Sequence, residues 1–227
     1  MSAKPTAMKH PDYTLYMVTD APAAYRRGFL ASVEEAVAGG VSIVQYRATE
    51  GSRRELYDTG LLLRDLLARL RVPFIINDHV DLALALDADG VHIGQSDLPA
   101  HVTRRLIGGE KILGLSVSNR DETLRVDKNV VDYAGLGPVF PTQTKPGAAP
   151  ATGVADLAAL VALSPVPTVA IGGITLERAP AIFASGVDGI AVVTALSLAG
   201  DIREAASLLR ATKENQTKTS QSPFQKT

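Results

Sequence analysis

Eight short apolar runs, separated by amphipathic stretches at helical spacing, constrain this 227-residue chain more than any other feature. Such alternation is the mark of βαβ units built around a parallel sheet. The strand candidates are residues 13–20, 41–47, 73–78, 90–95, 111–118, 133–140, 167–174 and 189–196. Most are continuous apolar runs without strict alternation, as expected of strands covered on both faces. Between the second and third, the pattern predicts a helix over 52–71, with Leu56, Leu63, Leu66, Leu67 and Leu70 on one face.

The segments ALDADGVHI (85–93) and ASGVDGIAV (184–192) share a helix end, an Asp-Gly pair and a strand start, with partial echoes at 38–44 and at Asp132. These repeats fall before strands two, four, six and eight, which suits a closed eightfold ring better than a doubly wound sheet. The predicted fold class is therefore α/β, a single (β/α)₈ TIM barrel over residues 13–213. Residues 1–12 are expected to be flexible. Residues 214–227, rich in Gln, Ser, Thr and Lys, are expected to be a disordered tail.

Charge and residue usage narrow the chemistry. Lys and Arg number 23 against 24 Asp and Glu, so no broad field attracts nucleic acid or anionic lipid, and any anion site must be local. Cysteine is absent, which removes disulfides, thiolate metal sites and a cysteine nucleophile. His10, His79, His92 and His101 do not have zinc-ligand spacing. No signal-peptide h-region and no membrane-length apolar stretch is seen, so the expectation is a cytoplasmic protein with no membrane partner. A homo-oligomer is compatible with the sequence, which fixes no subunit count.

In a parallel barrel the active site lies where strands end, and polar residues collect there. Gln45, Arg47, Asn77 and Ser116 are candidate substrate donors, although an Arg at a strand end is often only a solvated surface charge. Asp78 and Asp97 end neighbouring strands and could share one hard cation such as Mg2+; the alternative is that each caps the helix after it. Gly172-Gly173 after strand seven and Val193-Thr194 near the end of strand eight mark the corner where barrels commonly hold phosphate, unless the glycines only serve a turn. The loop 141–147 adds Thr142, Thr144 and Lys145, with an exposed turn closed by Pro146-Gly147 as the plainer reading.

Taken in order, Gln45-Tyr46-Arg47, Ile76-Asn77-Asp78, His92-Ile93-Gly94-Gln95-Ser96-Asp97, Gly114-Leu115-Ser116, the run from Gly137 to Lys145 and Ile171-Gly172-Gly173-Ile174 resemble the thiamine-phosphate synthase family. The resemblance covers about residues 13–210. It implies condensation of an aminopyrimidine diphosphate with a thiazole phosphate: diphosphate leaves, a pyrimidinylmethyl cation forms, and the thiazole nitrogen attacks it. It implies that Gln45, Tyr46, Arg47, Ala48, Thr49, Asn77, Ser116 and Lys145 hold the pyrimidine diphosphate. Thr142, Thr144, Gly172, Gly173, Val193 and Thr194 would hold the thiazole phosphate, and Asp78 and Asp97 would ligate Mg2+. Arg47, Lys145 and Ser116 would be the catalytic groups. The chain departs from the family at Ala48-Thr49, where the usual pattern has a lysine at the second position; Arg53 or Arg54 is the candidate substitute. Two alternatives are a thiazole tautomerase and a non-catalytic phosphate-binding barrel.

Overall fold

The computed structural model describes residues 11–47, 50–142, 144 and 149–220. Eight parallel strands close in sequence order into a barrel. They are β1 (Leu15–Val18), β2 (Ile43–Tyr46), β3 (Phe74–Asn77), β4 (Gly90–Ile93), β5 (Ile112–Val117), β6 (Tyr133–Leu136), β7 (Thr168–Ile171) and β8 (Gly189–Val192). The helices are α1 (Phe29–Ala38), α2 (Arg53–Leu70), α3 (Val80–Ala85), α4 (Ala100–Ile107), α5 (Arg120–Leu124), α6 (Gly153–Leu163), α7 (Ala179–Ala184), α8 (Thr194–Ser197) and α9 (Ile202–Ser220). All eight expected strands are present and the predicted single barrel is the fold.

Strand period decides what each residue does. Tyr16, Ile43, Ile75, Ile112, Tyr133, Val169 and Ala191 point inward and pack one another in the barrel interior. Their neighbours Leu15, Val44, Phe74, Ile76, Val91, Leu113, Ala134, Ala170 and Ile190 point outward into a larger core under the helices. Helix α2 shows how the outer layer is specified. Ser52 accepts from the Glu55 backbone N–H while the Glu55 carboxylate accepts from the Ser52 N–H, a complete capping box. Leu56, Leu63, Leu66 and Leu67 are buried, and Arg71 ends the helix in the left-handed conformation.

The repeats before the even strands have a physical role at the N-terminal floor. Ahead of β4, Asp89 accepts from the Phe74 N–H at 2.9 Å; ahead of β6, Asp132 accepts from the Leu113 N–H at 2.7 Å; ahead of β8, Asp188 accepts from the Thr168 N–H at 2.8 Å. Ahead of β2, Ser42 accepts from the Leu15 N–H at 3.3 Å. In each case a polar side chain entering an even strand satisfies a backbone donor where the preceding odd strand begins.

Three expectations need correction. Residues 193–196, expected to continue strand eight, instead turn into α8, because the chain leaves the ladder at Val193. The expected flexible segment ends sooner, since Asp12 accepts from the Thr14 N–H and is paired with Arg210 at 2.8 Å. At the other end α9 runs past 214 to Ser220. Arg210 and Glu214 pair one turn apart, Lys213 donates to the Asp188 carbonyl, and Gln216 donates to the Pro180 carbonyl. The two tertiary bonds, from Lys213 and Gln216, hold a polar helix that composition alone would not sustain.

Candidate active site

At the C-terminal ends of the strands a cavity of about 430 Å³ opens, a size suited to small molecules. Gln45, Arg47, Asn77, Ser116, Thr142, Thr144, Gly172, Gly173, Val193 and Thr194, all predicted from the sequence, line it together. Inward parity explains much of the set. Gln45 on β2, Asn77 on β3, His92 on β4 and Ser116 on β5 occupy the inward row whose lower members fill the interior.

The same parity corrects the assignment of Tyr46. One residue after Gln45, its side chain points out of the barrel, is 2% exposed and sits among Phe29 and Phe74, with ring centroids 6.3 and 6.5 Å away. It is a core residue of the outer layer. Ala48, Thr49 and Lys145 lie outside the described residues.

Arg47 is not a solvated surface charge: it lines the cavity, and its guanidinium donates to the Thr144 carbonyl at 2.8 Å. The hydroxyls of Thr142 and Thr144 are 2.9 Å apart, and the Arg47 bond joins this loop after β6 to the end of β2 as one wall. Of the two candidate replacement cations, Arg54 is tied to Asp58 along the exposed side of α2. Arg53 pairs with Asp81 across to α3. It also helps hold the His79 imidazole below its usual range, second to burial and opposed by Asp81 and Asp97. Arg53 is therefore the one facing the corner where β3 and β4 end.

Asp78 and Asp97 follow the cavity-lining Asn77 and Ser96 in sequence but are not themselves among the lining residues. Neither caps a helix: α3 and α4 begin with His79 and Pro99 as N-caps, and neither cap makes a side-chain bond. Asp78 has φ of 61°, a left-handed conformation uncommon for a non-glycine residue, and its N–H donates to the His92 carbonyl at 2.8 Å. One Asp97 carboxylate oxygen accepts from the Gly94 N–H at 2.7 Å, which orients the group. No cluster of three acidic or imidazole groups with metal-binding geometry occurs among the described residues. Two carboxylates on adjacent strand ends fit a hard cation that takes its other ligands from water and phosphate oxygens.

The opposite corner is built by glycines. Gly172 and Gly173 have φ of 103° and 61°. A Cβ on Gly173 would sit 2.8 Å from both the Phe140 Cβ and the Pro141 carbonyl oxygen. The glycine is thus required by close approach of the β6 and β7 loops, and not only by any ligand. Arg178 closes this corner from behind, 4.4 Å over the Phe140 ring and donating to the Gly173 carbonyl. Nearby, the first N–H groups of α8 have no partner within the helix. Gly173→Val should therefore displace the loop that carries Thr142 and Thr144. The expected result is a lower melting temperature together with loss of thiazole-phosphate binding, both read on one preparation by thermal melt and calorimetry; intact affinity in the folded variant would show that this corner does not shape the phosphate pocket.

Sequence reasoning missed a polar chain along the floor of the cavity, which buried Tyr16 and Tyr133 and half-buried His92 line. Gln45 Nε2 donates to the Tyr16 hydroxyl at 3.0 Å, the Tyr16 and Tyr133 hydroxyls are 2.8 Å apart, Tyr133 is 2.8 Å from His92 Nδ1, and His92 Nε2 is 2.9 Å from Ser116 Oγ. Burial pushes the Tyr16 and Tyr133 phenols well above their usual range, so both remain protonated donors. The available signal was parity: Tyr16, His92 and Tyr133 share the inward row with Gln45 and Ser116.

Such a barrel, with amide, guanidinium and hydroxyl groups lining its rim, a paired-carboxylate corner and a glycine-built corner, defines an enzyme of small, phosphorylated substrates. The profile of the thiamine monophosphate synthase family matches residues 15–196, and the chain belongs to that family. It is 48% identical over 203 residues to a thiamine-phosphate synthase of Syntrophomonas wolfei, covering 89% of this chain and 97% of the relative. A thiamine-phosphate synthase of Chloroflexus aurantiacus is 48% identical over 200 residues, covering 88% and 92%. The structure of a thiamine phosphate pyrophosphorylase from Pyrococcus furiosus superposes with a TM-score of 0.80 at 38% identity, covering 90% of this chain and 96% of that one. These relatives lend no support to the tautomerase or the non-catalytic barrel. Among the described residues no helix is long and apolar enough to cross a membrane.

Proposed function

We propose that this transferase condenses 4-amino-2-methyl-5-(diphosphooxymethyl)pyrimidine with 4-methyl-5-(2-phosphooxyethyl)thiazole to give thiamine phosphate and diphosphate, in the cytoplasm and with Mg2+ as cofactor. The observation that carries this reading is the convergence of ten sequence-predicted residues on one cavity, in a chain of this family. In the reaction the C–O bond to diphosphate breaks with its electron pair, leaving a pyrimidinylmethyl cation stabilised by the aminopyrimidine ring. The thiazole nitrogen then supplies the pair that forms the new C–N bond. No protein nucleophile is needed, which suits a chain without cysteine.

The residues act by position and charge. Gln45 and Ser116 hold the pyrimidine, and Arg47, braced on Thr144, neutralises charge appearing on the leaving diphosphate. Asn77 and Lys145 complete that binding set. Thr142, Thr144 and the Gly172-Gly173 corner, with Val193 and Thr194 opposite, position the thiazole phosphate so that its nitrogen faces the reacting carbon. Asp78 and Asp97 would hold Mg2+, which supplies additional neutralisation of the diphosphate when bound. The test is incubation with both heterocycles, with and without Mg2+, followed by chromatography for thiamine phosphate and assay of released diphosphate. Formation of neither product with Mg2+ present would overturn the reading.

A further inference from the structure

The hydrogen-bonded chain along the cavity floor joins Gln45 to Ser116 through three lining residues that have no role in the mechanism above. Its donors can be assigned by counting protons. Tyr16 is 1% exposed and accepts from Gln45 Nε2, so its own proton has the Tyr133 oxygen as its acceptor. Tyr133, also 1% exposed, then gives its proton to His92 Nδ1. The neutral imidazole must carry its proton on Nε2 and donate it to Ser116 Oγ. The Ser116 hydroxyl proton is left to point into the cavity that Ser116 lines, and the Gln45 amide, with its nitrogen committed below, turns its carbonyl oxygen to the same cavity.

Two glycines make room for this arrangement. A Cβ on Gly114 would lie 2.4 Å from both His92 Nδ1 and the Tyr133 hydroxyl, and one on Gly135 would lie 2.9 Å from His92 Cε1. Both are inward positions on β5 and β6, where a side chain would sever or displace the His92 to Tyr133 bond.

An isolated glutamine could rotate its amide to suit either a donor or an acceptor on the substrate. Here a rotated Gln45 would invert every bond, shift the imidazole proton to Nδ1 and turn the Ser116 proton away from the cavity. The two ends are coupled: Ser116 can donate into the cavity only when Gln45 presents its carbonyl there, and when Gln45 presents its amide N–H groups Ser116 can only accept. A pyrimidine carrying diphosphate offers acceptors to Ser116, in its ring nitrogens and phosphate oxygens, and so fixes Gln45 as an acceptor. Building on the function proposed above, we propose that Tyr16, Tyr133 and His92 are positioning residues whose coupled hydrogen bonds make the pyrimidine pocket select an amino substituent over an oxo substituent.

The experiment has two arms. In the full-length protein without ligand, ¹⁵N NMR of the imidazoles should show His92 neutral with its proton on Nε2; a dominant Nδ1–H form would overturn the assigned direction. In the second arm, calorimetry with Mg2+ compares the 4-amino pyrimidine diphosphate with its 4-oxo counterpart. Wild type should prefer the amino compound by roughly 100-fold, since a site built to pair one polar group rejects its mismatch strongly. Tyr133→Phe cuts the chain at its centre and should shrink that preference at least tenfold, chiefly by admitting the oxo compound. Tyr16→Phe removes the Gln45 to Tyr16 link but leaves Gln45 beside Tyr133, so it should shrink the preference by a smaller factor, and it serves if the first variant does not fold. An unchanged preference in either folded variant would overturn the proposal. If wild type binds neither compound, the proposed function fails and the selectivity with it, an outcome distinct from normal amino-compound binding without preference, which defeats the relay alone.

Discussion

Asp78→Asn and Asp97→Asn should each lower turnover by about 100-fold or more, with the melting temperature within a few degrees of wild type. Asparagine keeps the size of the side chain and tolerates the left-handed conformation at position 78, where φ is 61°, so the substitution removes charge and little else. The helix-capping explanation does not compete, because His79 and Pro99 hold the N-cap positions of α3 and α4. One Asp97 oxygen already accepts from the Gly94 N–H, and attraction for a hard cation beside the diphosphate is the further role proposed for the two carboxylates. Raising Mg2+ should recover part of the activity, as a weakened site fills again by mass action. Steady-state rates across an Mg2+ series, with melts on the same preparations, check this. Full activity at low Mg2+ with a lowered melting temperature would mean that the carboxylates are structural.

On the opposite face Asp132→Ala should have the largest effect on stability, about 2–4 kcal/mol. Its carboxylate accepts from the Leu113 N–H at 2.7 Å and from Arg104 at 2.6 Å, and the Arg104 and Asp132 side chains are 16% and 20% exposed. Removing it strands a backbone donor at the entry to β5 and leaves a largely covered guanidinium without its counter-charge. For a chain of this size the loss corresponds to a melting temperature lower by roughly 5–15 °C. Turnover well below the transition should be unchanged, since the residue lies at the far end of the barrel from the cavity. A melt indistinguishable from wild type would show that Arg104, which also bonds the carbonyls of Gly108, Lys111 and Val130, holds this region unaided.

The sequence disclosed the parts of this molecule that depend on local period and on where the apolar runs stop. All eight strands, α2 with its start and stop, and most of the cavity wall follow from those signals. What escaped it depends on direction within a strand and on contacts between distant segments. Tyr46 sits in the motif between Gln45 and Arg47, and only the strand's two-residue period shows that its ring faces the helices. His92 lies within a motif read for its neighbours, and Tyr16 and Tyr133 are 117 positions apart, so nothing local announces their bond. The extent of α9 escaped for a related reason: its last turns are polar and held by carbonyls of Asp188 and Pro180. The glycine at 173 was legible as a special backbone position, but the demand for it comes from Phe140 and Pro141 across the rim.

The floor contacts of Ser42, Asp89, Asp132 and Asp188 divide the ring into four clipped pairs of neighbouring strands. Clips of this kind, from a side chain to the first N–H groups of a strand, fall within pairs 1–2, 3–4, 5–6 and 7–8 among the described residues. The ladders joining one pair to the next bear their load without them. Thermal opening should therefore begin at a seam between pairs, and amide exchange should find the clipped N–H groups of Leu15, Phe74, Leu113 and Thr168 slower than the first N–H groups of the even strands. The seam between β8 and β1 carries its own latch, the Asp12 to Arg210 pair that draws the start of the barrel onto α9. Since every clip lies at the end remote from the cavity, the rim is relieved of holding the ring together, and a lineage could rework its substrate groups without loosening the hoop beneath them.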